Sequence, residues 1–154
     1  MIDYTDVSDY LDSLCPGNSR IIEELRAEAE AGAIPIIRRD CESLLRVLLH
    51  MQMPRRLLEV GTATGYSAIV MASTGYVEHI DTVEIGETDY RLALRNIERA
   101  GLTDRIDCHL IDASVYLPEL IRAGEVDDMV FMDAAKAQYL TWLPLIRLYV
   151  VATS

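Results

Sequence analysis

The stretch that decides the fold is Glu59-Val60-Gly61-Thr62-Ala63-Thr64-Gly65-Tyr66-Ser67, at residues 59–67. The apolar run at 57–60 is typical of a buried strand, and the residues after the turn have the pattern of a helix. Gly61 and Gly65 allow the backbone to approach a ligand closely, because glycine has no Cβ atom. A strand, a glycine turn and a helix together form a ligand crevice at the carboxyl end of the strand. The same pattern also fits a tight turn that requires glycine for its conformation alone.

Outward from this turn, short apolar segments alternate with longer amphipathic ones. We predict strands at 57–60, 79–84, 106–111 and 128–132, and helices at 65–74, 89–100, 114–122 and 137–148. This alternation predicts an α/β fold in which a parallel sheet is covered by helices on both faces. Residues 148–154 are predicted to begin a fifth strand.

The residues before this region have helical periodicity only. We predict helices at 4–14, at 19–31 and from residue 40 onward, where Asp40 is a predicted cap. The third helix has an apolar face of Leu44, Leu45, Val47, Leu48 and Leu49. Thr88 is a predicted cap of the helix at 89–100. We interpret residues 1–154 as one incomplete domain, with N-terminal helices in 1–52 and an alternating core at 57–148.

Acidic residues follow the second and third predicted strands. Glu84 lies about 20 residues after Gly65, the spacing at which an acidic side chain accepts the ribose hydroxyls of a nucleoside cofactor. Glu59 beside the turn would repel a pyrophosphate but would attract an ammonium group, which favours S-adenosylmethionine over NAD. The turn also lacks the third glycine of GxGxxG, although a nicotinamide-dependent oxidoreductase stays open. Asp112 with Ala113 is placed where an adenine would lie, but Asp112 also fits a helix N-cap.

The stretch Met132-Asp133-Ala134-Ala135-Lys136 follows the fourth predicted strand. Asp133 at this strand end is suited to hold a hard divalent cation through oxygen. Lys136 is the only lysine of the chain and lies close enough to share that site. An ammonium group near a cation loses a proton more easily, so Lys136 is a candidate general base. The alternative is that Asp133 caps a helix and that Lys136 is solvated.

The composition narrows the class of protein. About half of the 154 residues are apolar, and the formal net charge of −11 disfavours a protein that coats nucleic acid. The widely spaced cysteines Cys15, Cys41 and Cys108 form no disulfide framework, which fits a cytoplasmic protein. The N-terminus lacks the features of a signal peptide. Three histidines, His50, His79 and His109, share no ligand spacing and are expected at the surface or at sheet edges.

These motifs together resemble the metal-dependent O-methyltransferases. The resemblance rests on the segments at 59–67, 83–85, 111–113 and 132–139, and it covers roughly residues 20–147. It is similar to the catechol and caffeoyl-CoA O-methyltransferases and their bacterial relatives. The segment Ile34-Pro35-Ile36-Ile37 resembles the bacterial tRNA 5-hydroxyuridine methyltransferases in particular. The resemblance implies a Rossmann-like methyltransferase fold.

The resemblance also implies roles for individual residues. S-adenosylmethionine would contact Ile37, Glu59, Gly61, Thr62, Gly65 and Ser67 near its methionine end, Glu84 at its ribose, and Asp112 and Ala113 at its adenine. Asp133 would bind the metal, usually Mg²⁺, and would also touch the cofactor, while Lys136 would act as the base. The family's metal site further needs an Asp-Asn pair on the next strand. Residues 150–154 contain neither residue, so the chain is interpreted as C-terminally truncated.

The expected partners follow from the same resemblance. The methyl acceptor is expected to be a catechol-like small molecule or a tRNA 5-hydroxyuridine. The net charge counts against tRNA, although Arg38, Arg39, Arg55 and Arg56 form a candidate local basic patch. A shortened sheet would leave an unpaired edge, so a homodimer is expected. A catalytically impaired fragment that binds cofactor or forms oligomers is the remaining alternative.

Overall fold

The central feature of the protein is a four-stranded parallel sheet. In the computed structural model, which describes residues 4–15 and 17–151, the strands are β1 (Arg56–Val60), β2 (His79–Glu84), β3 (Ile106–Leu110) and β4 (Met129–Met132). Their order in the sheet is β3-β2-β1-β4. All neighbours are parallel, and Val60 at the end of β1 pairs with Val83 on one side and Met132 on the other. The predicted parallel α/β sheet is therefore confirmed, and the strand ends share one edge, here called the carboxyl edge.

Seven α-helices and one short 3₁₀ helix are found in the described residues. They are α1 (Tyr4–Leu14), α2 (Arg20–Ala31), α3 (Arg39–Gln52), α4 (Tyr66–Ser73), α5 (Glu87–Arg99), α6 (Ala113–Ala123), the 3₁₀ helix Lys136–Gln138, and α7 (Tyr139–Val151). Alternating strand residues enter two separate cores. Leu57 and Ile80 pack with side chains of α2 to α5, whereas Leu58 and Val83 pack with α6 and α7. Helices thus cover both faces of the sheet, as predicted.

Some predicted helix boundaries are wrong. Helix α3 begins after Arg38 and α5 begins after Gly86, so Asp40 and Thr88 lie in the first helical turns rather than at the caps. Residues 148–151, predicted to start a fifth strand, continue helix α7, and residues 152–154 lie outside the described residues. An apolar pattern of a few residues cannot by itself distinguish a strand from a buried helix, which explains this error.

The predicted apolar face of α3 is only partly buried. Leu45 and Leu49 lie in the core, whereas Leu44, Val47 and Leu48 are exposed. The three cysteines carry free thiols. Among the helices in the described ranges, none combines the length and the apolar character needed to cross a bilayer.

Candidate functional site

Two adjoining cavities open at the carboxyl edge. The first, of about 290 Å³, is bordered by the ends of β1 to β4 and by α7, and the second, of about 400 Å³, by the glycine turn and residues 35–37. Gly61, Ala63, Asp133 and Ala134 line both cavities. The first also contacts Glu84, Ile85, Asp112, Ala113, Gln138 and Trp142, and the second Pro35, Ile36, Ile37, Thr62, Thr64, Tyr66 and Ser67. Most of the predicted cofactor residues are thereby brought to one place.

The glycine turn requires glycine for two physical reasons. Gly61 has a φ of +104°, and a Cβ atom added there would lie 2.6 Å from the carbonyl oxygen of Asp133. Gly65 has a φ of +78° and packs against Ala93 of α5. The N–H of Asp133 donates to the carbonyl of Val60, which holds the end of β4 beside the turn. The turn is therefore both left-handed and in close contact with the neighbouring strand.

Glu84 is held at the wall of the first cavity by backbone donors. Its carboxylate accepts hydrogen bonds from the N–H groups of Ala63 (2.9 Å), Ile85 (2.9 Å) and Gly86 (2.8 Å). These bonds fix the carboxylate between the glycine turn and the start of α5. Since an ionised carboxylate offers about four acceptor sites, at least one stays available for a ribose hydroxyl.

Glu59 lies behind the glycine turn rather than on either cavity surface. Its side chain is fully buried and accepts hydrogen bonds from the hydroxyls of Ser67 (2.5 Å) and Thr82 (2.5 Å). Thr62 continues this chain, with 2.6 Å between its hydroxyl and that of Thr82. Burial raises the pKa of Glu59 to about 7, against the opposing effect of the two hydroxyl donors. Gly65 is likewise absent from the described lining of both cavities, so the structure places these two predicted cofactor residues one layer back.

Asp112 caps a helix and also borders the first cavity. Its side chain accepts a hydrogen bond from the N–H of Ser114 at 2.6 Å and caps α6. Asp112 also lines the first cavity, as does the buried Ala113. The cap interpretation is confirmed, and it places the carboxylate at the cavity because α6 begins at the carboxyl edge.

Asp133 lies where the two cavities meet, and its side chain is exposed. Lys136 is also exposed, in the 3₁₀ helix, but is not among the residues that line these two cavities. Glu84 and Asp112, the other carboxylates that line the first cavity, accept hydrogen bonds from backbone N–H groups, whereas no hydrogen bond to the Asp133 carboxylate is found among residues 4–15 and 17–151. One carboxylate is a poor match for a tightly bound Mg²⁺, which also needs near-octahedral coordination by oxygen.

A second group of possible metal ligands lies at the opposite edge of the sheet. His79, Asp81 and Asp107 place their ligand atoms within 4.8 Å of one another. Asp81 also accepts from Arg56 (2.8 Å) and lies 2.9 Å from the Nε2 atom of His109. This carboxylate is therefore already paired with the Arg56 guanidinium and with the imidazole of His109. The histidine spacing did not predict the cluster, because β2 and β3 pair across more than twenty residues of chain.

Trp142 is the cavity residue that sequence reasoning missed most clearly. It is buried, lines the first cavity and donates its indole N–H to the hydroxyl of Ser114 at 3.0 Å. Gln138 lines the same cavity one turn earlier along the chain. The sequence did offer one signal: the only tryptophan of the chain lies in the predicted helix that directly follows the Asp133–Lys136 segment.

A parallel sheet with a glycine turn, an acidic residue at the end of the second strand and paired cavities at the carboxyl edge is the architecture of a Rossmann-like fold, in which ligands bind at this edge. The comparisons with known proteins identify the family. The chain belongs to the O-methyltransferase family, whose model matches residues 12–149. The resemblance predicted from the motifs is confirmed at this level.

Curated relatives agree with this assignment. The chain is 32% identical to a catechol O-methyltransferase from Mycobacterium tuberculosis over 89% of its own length and 64% of that protein. It is 30% identical to a caffeoyl-CoA O-methyltransferase from Stellaria longipes, over 84% of this chain and 56% of the relative. The chain thus spans less than two thirds of these relatives.

Solved structures confirm the methyltransferase fold. An O-methyltransferase from Bacillus cereus in complex with SAH matches with a TM-score of 0.82 and 26% identity, over 94% of this chain and 68% of that one. The cofactor-bound protein Rv0187 from MTB matches with a TM-score of 0.80 and 29% identity, over 96% and 69% of the two chains.

Proposed function

We propose that this protein binds S-adenosylmethionine and transfers its methyl group to a hydroxyl of a small, catechol-like acceptor. The observation that carries the proposal is the pair of adjoining cavities at the carboxyl edge, which meet at Gly61 and Asp133. Membership of the O-methyltransferase family and the SAH complex of the Bacillus cereus protein support it. The same findings favour a methyltransferase over the nicotinamide-dependent alternative.

The two cavities suit the two ends of the cofactor. In the first, Glu84 would accept the ribose hydroxyls, while Asp112, Ala113 and Trp142 would surround the adenine. In the second, the neighbouring residues Ile37, Thr62 and Ser67 would face the methionine end. Glu59 would act from behind the turn, through its hydrogen bond with Ser67. The methyl group would then lie near Asp133, where the cavities meet.

The chemistry follows from this placement. Bound S-adenosylmethionine supplies a methyl group on a positively charged sulfur. Lys136, in its neutral form, would take the proton from the acceptor hydroxyl. The deprotonated oxygen would accept that methyl group with the cofactor's sulfur as the leaving group, which would give SAH. Asp133 would orient the acceptor at the junction, since a methyl transfer in line depends mainly on placement.

We also propose that the reaction depends on a divalent metal, as the resemblance implies, and that Asp133 is a ligand of this metal. The described residues do not by themselves fit Mg²⁺, because Asp133 is a single carboxylate, so no step above is assigned to a metal. Activity with and without Mg²⁺, in the protein and in Asp133→Asn, tests this point. A stimulation by Mg²⁺ that Asp133→Asn removes would support the assignment.

The ion pairs made by the arginines of the candidate basic patch favour a small acceptor over tRNA. Arg39 pairs with Glu23 (2.7 Å), Arg55 with Glu78 (3.3 Å), and Arg56 with Asp127 (3.2 Å). Arg38 pairs with Asp40 (2.9 Å). The predicted basic patch is therefore largely neutralised by neighbouring carboxylates. A homodimer and a cytoplasmic location stay predictions.

Calorimetry with SAH, followed by transfer of a labelled methyl group to catechol, tests the proposal. We expect SAH binding that Glu84→Ala weakens strongly, and methylated catechol above the buffer level. Glu98→Ala is the matched control, because Glu98 is an exposed glutamate of α5 away from both cavities. No binding at millimolar SAH would overturn the proposal. Binding without turnover would favour the fragment that only binds cofactor.

A further inference from the structure

A buried arginine lies beneath the second cavity. Arg26 of α2 is 5% exposed, and one of its guanidinium nitrogens donates to the carboxylate of Glu42 (3.0 Å) and to the backbone carbonyl of Ile37 (3.0 Å). Its Nε donates to the hydroxyl of Tyr66 at 3.1 Å. The guanidinium carbon also lies 4.9 Å from the centre of the Tyr66 ring. One side chain therefore touches two segments that come from different parts of the chain.

Those two segments both form part of the wall of the same cavity. Ile37 belongs to residues 34–38, which have no regular secondary structure, and Tyr66 is the first residue of α4, directly after the glycine turn. Both residues line the second cavity. The described backbone hydrogen bonds of this segment are at its ends, at the N–H of Ile34 and the carbonyl of Arg38, so side-chain contacts have to fix its middle. The bond from Arg26 to the Ile37 carbonyl is such a contact.

The charge of Arg26 is compensated locally. Glu42 is 4% exposed, and its carboxylate also accepts from the hydroxyl of Tyr66 (2.8 Å) and from Arg46 (3.2 Å). Burial acts to raise the pKa of Glu42, but the hydrogen bonds outweigh it and the pKa lies below its usual value. Both charges are thus retained in the folded protein. A buried ion pair of this kind contributes little to the net free energy of unfolding. Stability alone therefore does not account for it, and the geometry of its hydrogen bonds indicates its role.

We propose that Arg26 is a positioning residue that sets the distance between residues 34–38 and the glycine turn, and so shapes the half of the site that receives the methionine end of the cofactor. The assignment of that ligand rests on the proposed function. The placement of residues 34–38 by Arg26 is independent of the proposed function. Arg26 reaches both segments at once because the nitrogens of its planar guanidinium donate in several directions from a rigid fork, which the single nitrogen of lysine reproduces only in part.

The test compares Arg26→Gln and Arg26→Lys with the unaltered protein in SAH calorimetry and in limited digestion by trypsin. We expect Arg26→Gln to weaken SAH binding about tenfold, as for the loss of hydrogen bonds to a charged group, and Arg26→Lys to restore part of the affinity. Trypsin should cleave after Arg38 and Arg39 faster in Arg26→Gln, because the end of residues 34–38 is less well held, while cleavage after Arg91 stays unchanged.

Arg99→Gln is the matched control. Arg99 also anchors to α2, through two 2.7 Å bonds to Glu28, but it lies on the surface away from the cavities. Its loss should leave SAH binding as it is. Tyr66→Phe removes only a hydroxyl, and it replaces the arginine variants if they fail to fold; a smaller loss of SAH affinity is expected there.

Two outcomes would overturn the inference. One is SAH affinity in Arg26→Gln and Tyr66→Phe equal to that of the unaltered protein. The other is trypsin cleavage that accelerates equally at every arginine, since that would indicate a role in global stability alone. If the unaltered protein does not bind SAH, the proposed function fails, and the cleavage pattern still decides whether Arg26 fixes residues 34–38.

Discussion

Glu59 illustrates how one buried side chain makes stability depend on pH. An acid whose pKa is higher in the folded protein than in the unfolded chain binds an extra proton on folding, so it adds stability at low pH and loses it as the pH rises. With a folded pKa of about 7 and a usual value of 4.5, that loss falls between about pH 4.5 and pH 7.

We therefore expect Glu59→Gln to gain stability relative to the unaltered protein as the pH is raised from 5 to 8. The gain is at most about 3 kcal/mol, from 1.36 kcal/mol for each unit of pKa shift. Urea unfolding at both pH values, in the absence of cofactor, measures it. Glu98→Gln, an exposed change on α5, should show no such trend. A difference between Glu59→Gln and the unaltered protein that is independent of pH would contradict the buried placement.

Gly61 allows a direct test of the close contact between the turn and β4. Gly61→Ala must accommodate a left-handed backbone and a Cβ atom 2.6 Å from the carbonyl oxygen of Asp133. Gly124→Ala is matched, because Gly124 is also left-handed (φ +70°) but has nothing within 4 Å of the added atom. We expect Gly124→Ala to cost about 1–2 kcal/mol, and Gly61→Ala to cost about 1–3 kcal/mol more.

Chemical denaturation of both variants checks this expectation. Gly61→Ala should also weaken SAH binding, whereas Gly124→Ala should not, since Gly124 lies at the end of α6 away from the cavities. Equal costs for the two substitutions would mean that the turn does not pack against β4 as described.

At the scale of elements, strand and helix order were predictable because hydrophobic periodicity is a local property. The glycine turn fixed the end of β1, and Glu84, Asp112 and Asp133 fell at strand ends because parallel strands present one edge. Helix starts were harder to predict: Asp40 and Thr88 are good cap residues, but α3 and α5 each begin one residue before them.

Contacts between residues that are far apart in the sequence were not predictable. The contact of Arg26 with Tyr66 joins positions 40 residues apart, and no periodicity marks it. Exposed Leu44 and Leu48 on α3 have the same spacing as its buried Leu45 and Leu49, so the pattern alone could not assign the buried side. Tertiary packing decides such cases.

Helix α7 supplies a signal for cofactor binding. Trp142 is the only tryptophan of the protein and lines the first cavity. We expect SAH to change its fluorescence with the same dissociation constant that calorimetry gives, because an adenine in that cavity would lie beside the indole. Trp142→Phe, which removes the signal, and Glu84→Ala, which weakens binding, serve as controls. Binding by calorimetry with unchanged fluorescence would place the adenine elsewhere.

At the scale of the whole molecule, charge decides between the two classes of acceptor. The formal net charge is −11, and Arg39, Arg55 and Arg56 are engaged by carboxylates. Each phosphate contact would steepen the fall of log K with log salt by roughly 0.9 for duplex regions. We therefore expect no measurable retention of tRNA on filters at about 150 mM salt and a slope near zero at lower salt.

The double variant Arg38→Gln/Arg39→Gln completes this test, since these two arginines lie at the start of α3, next to the wall of the second cavity. It should be indistinguishable from the unaltered protein in the filter assay. If tRNA instead binds with a steep slope that the double variant reduces, phosphate contacts exist despite the ion pairs. That result would favour an RNA base as the acceptor over a small molecule, because phosphate contacts at these two arginines would bring RNA beside the second cavity.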